Sequence, residues 1–486
     1  MLARRRTLAR SWNVDGKIRV RRMSPGREEN ASGGPSSSEG RASTRGLVAT
    51  RLAIVLGYAC RLVRTRSAVL LLVLATTLPR LAALLHERGA ILASFTDKGD
   101  DFARTFLATG TYGFIPGYPS AYTQPLYGWF LIPLYWIFGR HWAVVGLAQI
   151  CVAVATTLIV WQIGRRWLTP TVGLLAGLAV ALHPYLVWHD VHMNREVLDH
   201  LLAAAIVYLT LHAAEHFGWR RALPLGAAIG VGILGNVRLE ALPFLIAAYV
   251  LWRAGVSRRT ALATVAIFAG AAVLVLPWIV RNKASVGCFA VTTDARALWK
   301  ANNVNTYTTL QHGGWIDHVP QPKSFPPTPQ DVFDHWRSTG VVEPYNECAQ
   351  MTEFQHKVVS FWIHHPADKA RLTALSAKWL WQPSVVETRG RPGAGGWLDT
   401  LRTTAEPAYM IPLYVLGAIG LFLVPRFFAA LTVLLLGYQT LVAMLFVGET
   451  RYRVPWDFLI ALLAGTAIVE LARRVRTRRS ERVVTA

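Results

Sequence analysis

ETRYRVPWDFLIALLAG, residues 449–465, sets three ionisable groups, Glu449, Arg451 and Arg453, directly between two long apolar runs. Runs of that length belong in a bilayer. Charge at their boundary either anchors a helix end by snorkelling or meets an anionic ligand. Which of the two applies depends on the side of the membrane on which the stretch lies.

The 486 residues are 53% hydrophobic, include 18 Trp and carry a formal net charge of +23. Apolar runs of roughly 17–25 residues recur along most of the length, the span a bilayer core requires. This excludes a soluble globular domain and predicts an all-α polytopic membrane protein. The basic excess sits in the tails and short loops, as the positive-inside rule requires, so nucleic acid is set aside as a partner. Residues 1–66 are rich in Arg, Ser and Gly and read as a disordered basic cytoplasmic tail. The first apolar run lies too deep for a cleavable signal peptide.

The first span, 67–86, follows Arg61, Arg64 and Arg66, which hold the N-terminus inside. The chain then enters a first outer loop, 87–141. ASFTDKGDDFARTFLATGTYGF contains Asp97, Asp100 and Asp101 and a short helix that begins near Asp101 and closes at Gly110. GYPSAYTQPLYGWFLIPLYWIFG, with Pro125, Pro133, Trp129 and Trp136, suits a helix lying at the interface. On that reading the run 142–164 ends inside at Arg165 and Arg166, and arginines mark each later inner turn: Arg220 and Arg221, Arg253 with Arg258 and Arg259, Arg426, and Arg473 onward. About ten spans result. They divide into a membrane module over 67–280, a small mixed outer cap over 281–406, C-terminal helices over 407–472 and a basic cytoplasmic tail over 473–486.

Polar material on the outer face falls at 97–101, at 188–200, at Arg238 with Glu240, over 281–406, and at Glu449, Arg451 and Arg453. Among the first-loop acids, Asp101 ranks first as a general base and Asp97 second, with Asp100 a third candidate. The competing role is an N-cap, which Asp fills well. Glu196 and Asp199 stand three apart and share a helix face at the head of a span; their alternative is complementing the helix dipole. Arg238 either pairs with Glu240 or approaches a phosphate. Arg451 and Arg453 diverge on a helix and share a side in an extended turn. His183, His189, Asp190 and His192 match no helix-face metal pair, so no metal site is assigned; a divalent ion has no support in the spacing. Cys288 and Cys348 both fall in the outer segment, as a disulfide or as two thiols.

The order of motifs resembles the GT-C superfamily of membrane glycosyltransferases, in the branch of bacterial protein O-mannosyltransferase-related proteins and the aminoarabinose transferase of lipid A. The elements are ARTFLATGTYG after a first-loop acid, TQPLYGW, Arg165–Arg166, HPYLVWHDVHMNREVLDHLL, NVRLEALPF, WIVRNKASVGCFAVTTDARALWKANN and ETRYRVPW. They cover about 67–472. Asp97 stands six residues before Ala103, closer than the family's acid, so all three aspartates stay in play. Thr123 and Gln124 replace an acid and a lysine of the aminoarabinose branch, so that branch's metal ligand is not carried over.

The resemblance implies transfer of a sugar from a polyprenyl-phosphate donor to an outer acceptor hydroxyl, with inversion. A first-loop carboxylate would be the base, Glu196 and Asp199 the second acids, and Arg451, Arg453 and Arg238 the phosphate ligands. The acceptor class stays open among protein, glycan and lipid. Two other classes compete: a transporter or lipid flippase, and a polymerase or ligase of surface polysaccharide. No internal repeat and no ionisable residues at span centres speak for transport. The high Arg and Ala content suggests a bacterial plasma membrane, with the active site extracytoplasmic and both termini inside.

Overall fold

The computed structural model describes residues 65–93, 96–312, 314–322, 324–384 and 397–484. The expected tail over 1–66, Cys60 included, lies outside the described residues except for Thr65 and Arg66.

The described chain is helical. Helix α1 (Thr65–His86) is followed by α2 (Lys98–Thr109) and α3 (Pro125–Phe138) in the first loop. Then come α4 (Trp142–Trp167), α5 (Pro170–Ala181), α6 (Pro184–His189), α7 (Glu196–Glu215), α8 (Trp219–Gly235), α9 (Leu242–Ala254) and α10 (Arg258–Val286). The outer segment supplies α11 (Ala295–Lys300), α12 (Thr306–Gln311), α13 (Pro329–Thr339), α14 (Glu347–His364) and α15 (Pro366–Leu380). The chain closes with α16 (Trp397–Leu421), α17 (Arg426–Leu445), α18 (Thr450–Arg453) and α19 (Asp457–Val484).

Among the described residues, six helical segments are long and apolar enough to cross a membrane: α1, α4, α7, α10, α17 and Thr450–Val475. The other predicted spans are helices too. However, α5, α8 and α9 have only 12, 17 and 13 residues, and α16 contains Glu406, Pro407 and Pro412. The stretch read as interfacial is α3, whose 14 residues reach about 21 Å, short of the roughly 30 Å hydrocarbon core. The final helix runs on to Val484, so residues 473–484, expected as a tail, continue α19.

Small residues let the membrane helices approach closely. At the α8–α10 crossing a Cβ on Gly226 would stand 2.2 Å from the Ile267 carbonyl oxygen, and one on Gly270 2.5 Å from that of Leu223. One apolar core runs from Phe102 through Ile229 and Leu435 to Leu462, and a second packs Leu84, Tyr127, Leu131 and Val145 of α1, α3 and α4.

The cap is, as expected, a mix of helices and irregular polar stretches. Among the described residues the only strand-like pairing is the isolated bridge Ile115–Tyr118. The cap has its own small cores, one around Phe361, Leu372 and Trp379, the other around Trp299, Phe354 and Val358. Several contacts fasten it to the membrane domain. Lys369 Nζ donates to the carbonyls of Met444 (2.8 Å) and Leu445 (3.1 Å) at the end of α17, where a cation complements the helix dipole; burial brings this amine down to about 8. Gly448 touches the Ser376 backbone so closely that a Cβ there would sit 1.6 Å from its carbonyl oxygen. Glu347 accepts from the Ala121 amide (3.0 Å) and Thr293 Oγ1 (2.8 Å), tying α14 to the first loop.

Beside Glu347, Cys288 and Cys348 form a disulfide with Cα atoms 5.3 Å apart, which settles the two readings of that pair. It closes a loop of 60 residues. In the chain-entropy account such a loop contributes up to about 4 kcal/mol. Reduction, or the Cys288→Ala/Cys348→Ala variant, is expected to lower the thermal midpoint of the detergent-solubilised protein. An unchanged midpoint in differential scanning fluorimetry would show that Glu347 and the cap cores suffice.

Candidate active site

The first loop folds around Asp97. Its backbone is extended, and its Oδ1 accepts the Gly99 amide at 2.8 Å, so Asp97 is the N-cap of α2. Gly99 is required by close packing, since a Cβ there would lie 2.9 Å from the amide nitrogen of Gly128 on α3. The Asp97 amide donates to the Met193 carbonyl at 3.0 Å, which draws the first loop onto the segment before α7. Capping occupies one carboxylate oxygen and leaves Oδ2 without a hydrogen-bond partner among the described residues.

Beside it, Lys98 Nζ meets Asp294 Oδ2 at 2.7 Å and lies 4.3 Å over the Tyr122 ring. Burial by itself would raise the Asp294 carboxyl, but Lys98 and Arg296 outweigh it and hold this acid below the usual range. The N-terminus of α7 supplies Glu196 and Asp199, 5% and 7% exposed. Asn236 donates to Asp199 Oδ2 at 3.0 Å, while Glu196 Oε2 and Asp199 Oδ1 have no hydrogen-bond partner among the described residues. Arg195 donates to Gln124 Oε1 at 2.6 Å.

The 3₁₀ turn Val237–Leu239 breaks the path from α8 to α9 and presents Arg238. Its guanidinium stacks 3.4 Å over Tyr452 and forms no ion pair with Glu240 among the described residues. Burial lowers its pKa, though an arginine stays charged at neutral pH. Arg451 pairs with buried Glu449 (2.6 Å), donates to Tyr452 Oη (2.9 Å) and faces Trp315 of the cap at 5.7 Å.

These elements surround one cavity of about 440 Å³. Its walls carry the acids Asp97, Glu196, Asp294 and Asp317 and the cations Lys98, Arg195, Arg238 and Arg451. A narrow extension beneath it reaches Asp199 and Trp456. Cations and carboxylates drawn from five separate segments, partly desolvated, are what transfer of a phosphate-linked group demands.

The other candidates lie elsewhere. Asp101, ranked first from the sequence, is outside the cavity on the next turn of α2; it faces Arg104 at 3.5 Å and is 30% exposed. Asp100 is buried against Arg140 (2.7 Å) and Tyr135 Oη (2.7 Å), a pair that holds the first loop together. Arg453 is buried against Asp457 at 2.9 Å and does not line the cavity. The histidines scatter: His183 faces Asp457 (3.4 Å), His192 faces Glu87 (3.6 Å), His189 meets Asn194 (3.2 Å), and Asp190 pairs with Arg80 (2.8 Å). Among the described residues no three metal-ligating side chains gather.

The sequence reading missed Arg195, Lys98 and Asp294. Arg195 had a usable signal, a cation beside Glu196 at the same span head. Lys98 and Asp294 are 196 residues apart, and no local pattern links them.

Residues 120–280 match the family model described as dolichyl-phosphate-mannose-protein mannosyltransferase. No curated protein gives a significant match to the chain. Among solved structures, the oligosaccharyltransferase of Archaeoglobus fulgidus in its apo form aligns at 12% identity with a TM-score of 0.50, over 86% of this chain and 52% of its own. The AglB oligosaccharyltransferase of the same organism, in complex with an inhibitory peptide and a dolichol-phosphate, aligns at 12% identity and TM-score 0.47, over 86% and 51%. ArnT from Cupriavidus metallidurans aligns at 16% identity and TM-score 0.34, over 76% and 72%. The chain spans about half the length of the archaeal enzymes, and at such identity the apo structure speaks for the fold alone. Residues 120–280 are thus similar to the dolichyl-phosphate-mannose-protein mannosyltransferase family, and the chain shares its helical fold with the archaeal oligosaccharyltransferase.

Proposed function

We propose that the protein transfers a sugar from a polyprenyl-phosphate donor to an extracytoplasmic acceptor hydroxyl with inversion. The observation that carries this reading is the single cavity in which Asp97 and Glu196 meet Arg195, Arg238 and Arg451. Asp97 takes the proton as the acceptor oxygen attacks the anomeric carbon. The bond from that carbon to the phosphate oxygen breaks, and polyprenyl phosphate departs with its charge held by the arginines. Glu196 shares the cavity with Arg195 and Arg451 and hydrogen-bonds the sugar. Helix α11 and the turn at Trp315–Asp317 bring the cap onto the cavity and form the acceptor side. The inner membrane, with both termini inside, completes the proposal.

The test is transfer of radiolabelled sugar in membranes from a panel of polyprenyl-phosphate sugars. Arg238→Ala and Arg451→Ala each remove a charge-assisted phosphate contact of about 1.5–3 kcal/mol. The expected loss is therefore roughly 10–100-fold in kcat/KM, mostly through KM. Consumption of no donor by the wild type, with protein, glycan and lipid acceptors all supplied, would sink the reading. So would arginine variants that match wild type.

A further inference from the structure

The membrane domain carries a second concavity, at the end opposite the cavity just described. It opens between α1, α4 and α7, encloses about 530 Å³ and is walled by Val69, Leu158, Ile159, Ala205 and Leu209. Helix α7 enters the active-site cavity at Glu196 and reaches this groove only at Ala205–Leu209, some 14–20 Å further along its axis. A hydrogen bond between Thr76 and Thr157 (3.1 Å) fixes α1 against α4 just on the active-site side of the groove.

Two features of the groove point to its occupant. The first is Gln162, the one strongly polar group in an otherwise apolar wall. It is exposed, and among the described residues its amide has no hydrogen-bond partner. An unmet amide facing hydrocarbon is costly, so it calls for an acceptor from whatever lies beside it. The second is the mouth. Trp161 and Tyr208 form the rim, and Arg165 lies 5.0 Å over the Trp161 ring. Arg166 is already neutralised by Glu215. Arg165 is exposed and has no acidic partner among the described residues. Arg66, also exposed, stands one turn before Val69 on the same face of α1. The groove thus presents an apolar trough, then an amide, then exposed cations, in the order in which a glycerophospholipid presents its chain, ester and phosphate.

We propose that this groove seats one anionic glycerophospholipid. An acyl chain fills the trough, an ester carbonyl accepts from the Gln162 amide, and the phosphate rests on Arg165 with Arg66 beside it. The site is independent of the reading given to the active site.

Native mass spectrometry of the delipidated full-length protein, titrated with phosphatidylglycerol, phosphatidylcholine and undecaprenyl phosphate, tests it. Wild type is expected to retain one phosphatidylglycerol with about tenfold preference over phosphatidylcholine, the size of one charge-assisted phosphate contact. Arg165→Ala brings the two lipids to parity. Gln162→Leu weakens both and keeps the charge preference. Both side chains are exposed, so their loss leaves the helix packing intact. Equal retention of the two phospholipids by wild type overturns the proposal, as does an unchanged preference in Arg165→Ala. Displacement of phosphatidylglycerol by equimolar undecaprenyl phosphate also overturns it, and would make the groove a carrier site.

Discussion

Asp97→Asn is expected to lower sugar transfer by roughly 10²–10⁴-fold, the range spanned by a general base, in a protein that remains folded. The substitution separates two roles that Asp97 holds at once. Its Oδ1 caps α2 through the Gly99 amide, and Asn caps a helix about as well as Asp, so the first loop keeps its shape. What is lost is the carboxylate's ability to take a proton. Asp97→Ala removes both functions and adds about 1 kcal/mol of lost capping, so it should unfold slightly earlier as well as lose transfer. Asp101→Asn is the companion control. That carboxyl is raised by burial and by the neighbouring Asp100 charge, yet it faces Arg104 outside the cavity, so its removal should change transfer by less than about threefold, as expected of a surface position away from the chemistry. The measurement is donor consumption per folded protein, with folding followed by fluorescence-detected size exclusion. Wild-type rates in Asp97→Asn would move the base to Glu196, whose Oε2 has no hydrogen-bond partner among the described residues, and Glu196→Gln would then be the variant that fails.

The architecture was legible because its cause is local. Apolar runs between arginine-marked turns dictate apolar helices, and among the described residues six of the predicted spans are helices long and apolar enough to cross a membrane, while the others are shorter or interrupted. The site was legible only in part, because it depends on helix phase. The sequence predicted a helix starting near Asp101 with one aspartate as its cap. The helix starts three residues earlier, at Lys98. That shift makes Asp97 the cap and leaves it at the cavity, while Asp100 and Asp101 turn with the helix towards Arg140 and Arg104. The same holds at the C-terminal boundary. Arg451 and Arg453 share a side only in an extended turn, and Thr450–Arg453 is helical, so Arg451 faces the cavity and Arg453 points into the core. The helices of the cap were legible only in part, for another reason. Its polar and aromatic stretches have no strong period of their own and take helical form by packing into two small cores of their own.

Arg453→Ala is expected to destabilise the protein by about 3–5 kcal/mol, the cost of breaking a buried ion pair. Arg453 is 0% and Asp457 2% exposed. Their contacts of 2.9 and 3.2 Å make a two-pronged pair one helical turn apart. Arg453 also donates to the carbonyls of Leu380 (2.7 Å) and Gln382 (3.0 Å) at the end of α15, so it joins the cap to the last membrane helix. Without it, Asp457 is left as a buried charge facing His183 at 3.4 Å with no arginine to pair it, and two carbonyls lose their donor. Asp457→Asn should be damaging for the reciprocal reason, while Arg453→Met combined with Asp457→Leu should recover much of the loss, since an apolar pair of similar volume removes both charges together. Thermal unfolding in detergent reads all three. The contrast with Arg451→Ala separates the two arginines of one motif. That variant should hold a near-wild-type midpoint and lose donor affinity, because its side chain faces the cavity. An Arg453→Ala protein that melts at the wild-type temperature and binds donor weakly would reverse the assignment and make Arg453 a phosphate ligand.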